Sequence, residues 1–343
     1  MVDLASLGTL GFGGGGLGNL YRAITDQDAA AAVRAAWDAG IRYFDTAPHY
    51  GFGLSEKRLG ASLAELDPQE SAIVSTKVGR RLDPVPGKNL SQLRQGFVSP
   101  EPVESVFDYS YDAVMRSFES SRKRLRRDRI DILYAHDIGR FAHGDDHPAR
   151  FAQFMAGGYK AMRELRDGGA VGAIGLGVNE YQVCEEVLVE GDLDVVLLAG
   201  RYTLLEQESL ETFLPLAERR DVKIVLGGPY NSGILATGVR GRSDVHYNYQ
   251  PAPADIIHRV GAIEDVCAAY DVPLAAAALQ FPLAHPQVVS VIPGMGSARH
   301  VASSVELMAV DIPFGLWRDL KDRGLIRRDA PTPTKEQRSN ETP

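Results

Sequence analysis

Cysteine is nearly missing from this chain: Cys184 and Cys267 are the only two in 343 residues. Each sits in a segment with helical spacing, so they form no disulfide framework and suit a reducing compartment. Positive charge is also short, with 37 Lys and Arg against 45 Asp and Glu, a net charge of −8. Such a surface repels phosphate backbones and anionic lipid, which argues against nucleic acid and membrane surfaces as partners. No apolar run approaches the roughly 20 residues that cross a bilayer. The opening MVDLASLGTLGFGG has neither the basic start nor the apolar core of a secretory signal. No Pro/Ser-rich linker interrupts the chain. The expectation is a cytoplasmic enzyme acting on a small molecule, with its oligomeric state left open.

What is present is alternation. Short apolar runs at 7–12, 41–45, 72–76, 130–136, 173–177, 195–198, 223–227 and 288–293 read as strands. Helical spacing fills the gaps. Thr25 and Asp28 have capping-box spacing ahead of an Ala-rich segment that stops at Gly40. A second helix opens near Ser55, and others are expected over 110–126, 151–167, 180–190, 209–219, 255–270, 274–284 and 298–308. Eight strand–helix units predict a single (β/α)8 TIM barrel over 1–328, followed by a polar tail at 329–343. A doubly wound open sheet is the alternative. The surplus length falls at 79–109, 137–150 and 228–254. Each stretch follows a strand, which places it on the C-terminal face where barrel active sites form.

Four side chains stand at or just past successive strand ends: Asp45, Tyr50 in DTAPHYG, Lys77 in VSTK and His136 in DILYAH. Singly, each has an ordinary explanation as a cap, a solvated loop residue or a hydrogen-bonded structural histidine. Neighbouring parallel strands bring all four within reach of one pocket. There, an ammonium beside a phenol is expected to lower the tyrosine pKa, with the carboxylate holding the ammonium and the imidazole bonding a substrate oxygen. A tyrosine that exchanges protons near neutral pH serves carbonyl reduction or alcohol oxidation beside a hydride carrier. The glycine run 11–18 contains a GxGxxG match, but the helix start at Thr25 comes too late for a dinucleotide-binding open sheet. A close-packed loop over the active-site mouth fits better, and it includes Gly13 and Gly14. HDIGRFAHGDDH at 136–147 offers three histidines and three aspartates without a dedicated ligand spacing, so no metal is expected.

DTAPHYG, VSTK and DILYAH, with GFGGGGLGNLY, GLGVN and IPGMGS, resemble the aldo-keto reductase superfamily over roughly residues 7 to 310. The resemblance implies a (β/α)8 barrel holding an extended nicotinamide dinucleotide, with Asp45, Tyr50, Lys77 and His136 catalytic and Tyr50 exchanging the proton. LGNLY, DYSYDAVMRS, LAGRYTLLEQ and NYQPAPA are similar to the aldose 1-dehydrogenase group, which includes L-fucose and D-threo-aldose dehydrogenases. Pyridoxal 4-dehydrogenases of the same superfamily are similar too. A general aldehyde or ketone reductase and a cofactor-sensing subunit without turnover are further alternatives.

The resemblance also implies a cofactor surface, with departures. Asn179 follows Val178 where the family commonly has Ser-Asn, and Ala199 replaces a common Gln. The aromatic that stacks on nicotinamide would fall near Gly228 in Gly228–Pro229–Tyr230–Asn231, with Tyr230 or Tyr202 as substitutes. Gly294, Met295, Gly296, Ser297, His300, Ser303 and Ser304 would meet the adenosine phosphates. Where NADP-preferring members carry a Lys and an Arg, this chain has Gly294 and His300, so NAD is expected over NADP. His49, Tyr109, Arg140, Tyr247 and Trp317 are the substrate-pocket candidates. The family's N-terminal hairpin is mostly missing, which leaves the barrel floor short of its usual plug.

Overall fold

A computed structural model describes residues 2–333. Its strands, in chain order, are β1 (Phe12–Gly13), β2 (Tyr43–Asp45), β3 (Ile73–Val78), β4 (Arg80–Pro84), β5 (Val103–Phe107) and β6 (Ile130–His136). They continue with β7 (Val171–Val178), β8 (Val195–Ala199), β9 (Lys223–Gly227), β10 (His246–Tyr247), β11 (Gln250–Pro251) and β12 (Val288–Ile292). Eight of them pair in parallel in the order β1-β2-β3-β6-β7-β8-β9-β12. The bridges Leu10–Val291 and Gly13–Gly294 join the last to the first. This is the expected eight-stranded barrel rather than an open sheet. Strand β7 is buried along its whole length, as parallel strands are when side chains fill one face and helices cover the other. Tyr43, Ile132, Tyr134, Val195, Leu197 and Val225 fill the interior.

The outer helices begin where local chemistry starts them. Thr25 Oγ1 accepts the Asp28 amide at 3.0 Å while the Asp28 carboxylate accepts the Thr25 amide, so Asp26–Asp38 starts with two donors satisfied. Its small buried face, Ala29, Ala32, Val33 and Ala36, permits close packing on the helices Leu54–Leu66 and Ala298–Met308.

Four expectations need correction. Strand β1 is only Phe12–Gly13, because Leu7 belongs to a short 3-10 helix, Leu4–Leu7, whose leucine packs into the interior cluster. That turn contacts β12 and covers the barrel floor, where Val2, Leu4, Ile73 and Val289 all pack against the same interior cluster. The floor is therefore not left open. The stretch 79–109 is not a plain loop: β4 and β5 pair antiparallel over five residues, reinforced by Arg81–Asp108 and Lys88–Glu104 ion pairs. Finally, Ala330 is buried and Asp329 pairs with Arg327, so the polar tail does not start at 329. Residues 334–343 of that tail lie outside the described residues.

Candidate active site

The glycine run sets the position of the DTAPHYG turn. It folds as a short 3-10 helix, Gly14–Gly18, pressed onto the end of β2. A Cβ at Gly14 would come within 2.5 Å of the Asp45 carbonyl, and one at Gly18 within 2.5 Å of the Tyr50 carbonyl carbon. Only glycine permits that approach. Ser55 adds to it by donating to the Gly14 carbonyl at 2.8 Å.

On this support the four strand-end residues converge. Lys77 Nζ donates to both Asp45 oxygens at 2.7 Å and to the Thr46 carbonyl at 2.9 Å. Ser75 donates to Asp45 Oδ1 at 2.7 Å. With its three donors used, the ammonium makes no hydrogen bond to Tyr50, and Nζ sits 5.0 Å from the centre of that ring. This corrects the expected electrostatics. The lysine charge is balanced by Asp45, and burial holds the Tyr50 phenol well above its ordinary value, helped by Asp45, Asp137 and Tyr249 and opposed by Arg80. Tyr50 is thus a protonated phenol at neutral pH. His136 lies with its ring 6.0 Å from that of Tyr50, edge to face. Burial, with Arg80 and Lys77 nearby, keeps this imidazole well below its ordinary value and therefore neutral. Its Nδ1 is buried without a partner among the described residues, and Nε2 is 3.5 Å from Asp137 Oδ2.

These groups line a cleft of about 590 Å³, walled also by His49, Arg80, Phe97, Asp137 and Tyr249. It continues past Tyr21 and Tyr249 into a second hollow of about 580 Å³. Gly228, Pro229, Tyr230, Asn231 and Gly294, all named above as cofactor candidates, line that hollow. A side chain at Gly294 would meet nothing within 4 Å, so bare backbone faces open space there. A third hollow, of about 610 Å³, lies between Arg22, Gly296, Ser297 and Arg299 at the start of the helix Ala298–Met308. The first two share Leu20, Tyr21 and Tyr249 in their walls, and the third follows through the chain neighbours Tyr21–Arg22 and Gly294–Gly296. The unencumbered backbone and helix N-terminus of this trough fit a long phosphate-bearing cofactor.

Several candidates fall elsewhere. Arg140 is exposed, and Phe141 and Ala142 line the cleft instead. Trp317 is buried against Phe281 in the helical layer. Tyr202 packs on Phe281 and His285, away from the trough. Tyr247 sits in β10 and packs on the core, while Tyr249, at the tip of the β10–β11 turn with φ +63°, faces the cleft. Tyr109 stands behind the wall: its hydroxyl bonds the His136 and Asp137 carbonyls at 2.7 and 3.0 Å and so fixes the end of β6. Gly13 and Gly14 are consumed in packing, since Gly13 bonds Pro293 and Met295 through its backbone. The Met295 side chain and Ser304 are buried and Ser303 is exposed a turn further on, so none of the three lines the trough. Asn179 reaches the cleft with its amide donating to Asp137 Oδ1 at 3.1 Å. Asn231 lines the second hollow while its side chain ties Gly200 to Thr203. His300 accepts from the Gly296 amide and Ser297 caps the helix. In the HDIGRFAHGDDH stretch, His147 is held by the Ile138 carbonyl and Glu186, and His143 by Tyr109.

Arg80, Asp137, Phe97, Tyr21 and Tyr249 also line the cleft, and the strand-end pattern of the sequence does not mark them. For two of them a signal existed: Arg80 is three residues past Lys77 as the chain leaves β3, and Asp137 directly follows His136.

Comparison with known proteins agrees with this geometry. A model described as the aldo/keto reductase family matches residues 9–316. A pyridoxal 4-dehydrogenase of Microbacterium luteolum is 46% identical over 92% of this chain and 94% of its own length. A D-threo-aldose 1-dehydrogenase of a Pseudomonas species is 41% identical over 94% and 95%. Among solved structures, an aldo-keto reductase of Bacillus halodurans in its holo form superposes with a TM-score of 0.71 at 23% identity, over 96% and 94% of the two chains.

Proposed function

The chain belongs to the aldo/keto reductase family, oxidoreductases that use nicotinamide cofactors, and on that premise we propose that it oxidises the anomeric hydroxyl of an aldose, of the L-fucose and D-threo type, to a lactone with NAD. The observation that carries this reading is the pairing of Tyr50 and His136 at the base of the cleft. The phenol is protonated and makes no hydrogen bond among the described residues, and the imidazole beside it is neutral and lines the same cleft, with Nε2 3.5 Å from Asp137 Oδ2. In reduction the carbonyl oxygen lodged beside them takes the proton of Tyr50 Oη. In oxidation the phenolate form of Tyr50, whose share grows as pH rises, accepts the substrate's hydroxyl proton, and in both directions His136 donates a hydrogen bond to that oxygen. The Asp45–Lys77 pair contributes position, because its charges cancel and its bonds fix the floor on which Tyr50 rests. A nicotinamide held along the trough by the Gly228–Asn231 backbone, Gly294 and Asn179 would supply the hydride acceptor.

The names of the two relatives share a chemical feature. Aldoses cyclise to hemiacetals, and so does pyridoxal through the hydroxymethyl group beside its aldehyde. One reaction, from hemiacetal carbinol to lactone, covers both. Phe97, Phe107 and Tyr249 around the cleft favour pyridoxal as the second reading. The test follows NADH absorbance over a panel of aldoses with pyridoxal included. Turnover of a 6-deoxy or threo aldose supports the first reading, turnover of pyridoxal alone replaces it with the second, and turnover of neither overturns both.

A further inference from the structure

Arg80 is short of acceptors in a place where that is costly. Its side chain is 13% exposed and presents five N–H donors. Nη2 meets Asp137 Oδ2 at 2.5 Å, while Nε is buried with no acceptor among the described residues. Nη1 lies 3.4 Å from His49 Nδ1. That nitrogen is no acceptor, as the local network requires. The Gln95 amide donates to the Ser105 carbonyl, so its oxygen faces Ser105 Oγ and takes the hydroxyl proton. Ser105 Oγ must then accept from His49 Nδ1 at 2.7 Å. Phe107 under the guanidinium, 4.1 Å away, holds the fork in place without using its donors.

Asp137 is the companion. It occupies the left-handed region at φ +53°, an uncommon conformation for a residue with a side chain, and such strain collects at functional sites. Its Oδ2 is 2.5 Å from Arg80 and 3.5 Å from His136 Nε2. The donor-rich fork therefore lies one carboxylate oxygen away from the imidazole that meets the reacting oxygen. Oxygens on adjacent carbons span such a gap. A hydroxyl at that point accepts from Arg80 and donates to Asp137, using both of its capacities.

We infer that Arg80 and Asp137 grip the hydroxyl on the carbon next to the reacting one, restricting substrates to aldehydes and hemiacetals that carry it. This rests on the acid–base site proposed above, adds the selecting residues, and is incompatible with the pyridoxal reading, because pyridoxal has no hydroxyl on the ring carbon that bears its aldehyde. The test compares 2-hydroxypropanal with propanal in the reductive direction, and an oxidised aldose with its 2-deoxy counterpart. Wild type should favour the hydroxylated partner by roughly 10- to 100-fold in kcat/KM, the worth of one charge-assisted hydrogen bond. Arg80→Met should bring the ratio near unity, and Arg80→Lys should keep part of it. The wild-type comparison requires no variant to fold. Equal treatment of each pair by wild type, or undiminished discrimination in Arg80→Met, overturns the inference. Discrimination between the aldehydes with no aldose oxidised overturns the aldose reading and leaves the grip standing. Aldose oxidation that ignores the 2-hydroxyl does the reverse.

Discussion

The two walls of the trough are made in different ways. On the β2–β3–β6 side, buried charged and hydroxyl groups are bonded to one another: Lys77 to Asp45, Ser75 to Asp45, and Thr76 to Glu56 and through it to Arg124. On the β9–β12 side, glycine backbone, a helix start and exposed arginines face open space. The first wall uses its polar groups to hold geometry and leaves few of them free, notably Tyr50 Oη and part of Arg80. The second keeps its backbone open to a ligand. Substitutions in the first wall should therefore damage chemistry or stability, and those in the second should alter binding alone.

The largest effect is expected at Tyr50. Tyr50→Phe removes the exchanging proton and should lower kcat by on the order of 10²–10⁴ with cofactor affinity kept. Retention of more than about a tenth of turnover would remove Tyr50 from proton transfer. Because burial, with Asp45, Asp137 and Tyr249 adding to it, holds the phenol protonated, oxidation should speed up as pH rises through the alkaline range. Reduction should stay flat across neutral pH, since the acid form is already present. A pH profile in which oxidation is fastest below neutrality contradicts the raised phenol.

Lys77→Met comes next. It strands the Asp45 carboxylate in a site where both side chains are about 2–3% exposed. Loss of one partner of a buried pair costs about 3–5 kcal/mol, readable in denaturant melts. Adding Asp45→Asn should restore part of that stability without restoring activity. A Lys77→Met protein as stable as wild type would mean the pair is not the support described.

Glycines on the two walls sharpen the contrast. Gly18→Ala drives a Cβ into the Tyr50 and Gly51 backbone at 2.5–2.7 Å, and overpacking of this kind costs about 1–3 kcal/mol. It should lower both melting temperature and kcat. Gly294→Ala meets nothing, so stability should hold while cofactor binding weakens. Equal melting temperatures for the two variants would erase the distinction between the walls.

The same contrast explains what could be read from the sequence. Ionisable residues at strand ends mark the first wall, and β6 and β9 fall at 130–136 and 223–227 as their apolar runs predict. The β4–β5 hairpin was hidden because its strands, RRLDP and VESVF, do not alternate regularly and lie 18 residues apart. Their ladder of five residue pairs, reinforced by the Arg81–Asp108 and Lys88–Glu104 ion pairs, is announced by no local pattern. Tyr247 and Tyr249 are both aromatic residues of one loop, and only the turn at Asn248 and Tyr249, both with positive φ, decides which one faces the cleft. Arg80 is one of two adjacent arginines, and its role depends on which acceptors His49, Ser105 and Gln95 leave it.

The smallest effect concerns the cofactor's far end. Gly294 carries no side chain toward the third hollow, and burial with Arg22 and Arg299 keeps His300 below its ordinary pKa and so uncharged at neutral pH. The positive charge there comes from Arg22 and Arg299, both exposed to solvent. Exposed ion pairs contribute about 0.2–1 kcal/mol each, too little to replace a fixed lysine and arginine on a 2′-phosphate. NAD should therefore be the better cofactor by kcat/KM. What NADP use exists should depend on the two arginines, so the Arg22→Ala/Arg299→Ala pair should raise the NAD-to-NADP ratio by up to about tenfold. Added salt should act in the same direction, since the Debye length is about 10 Å at 0.1 M and these charges are unprotected. Steady-state kinetics with both cofactors, at low and high salt, measures each point. A higher kcat/KM with NADP in wild type would show that Arg22 and Arg299 close on the phosphate more firmly than their exposure implies.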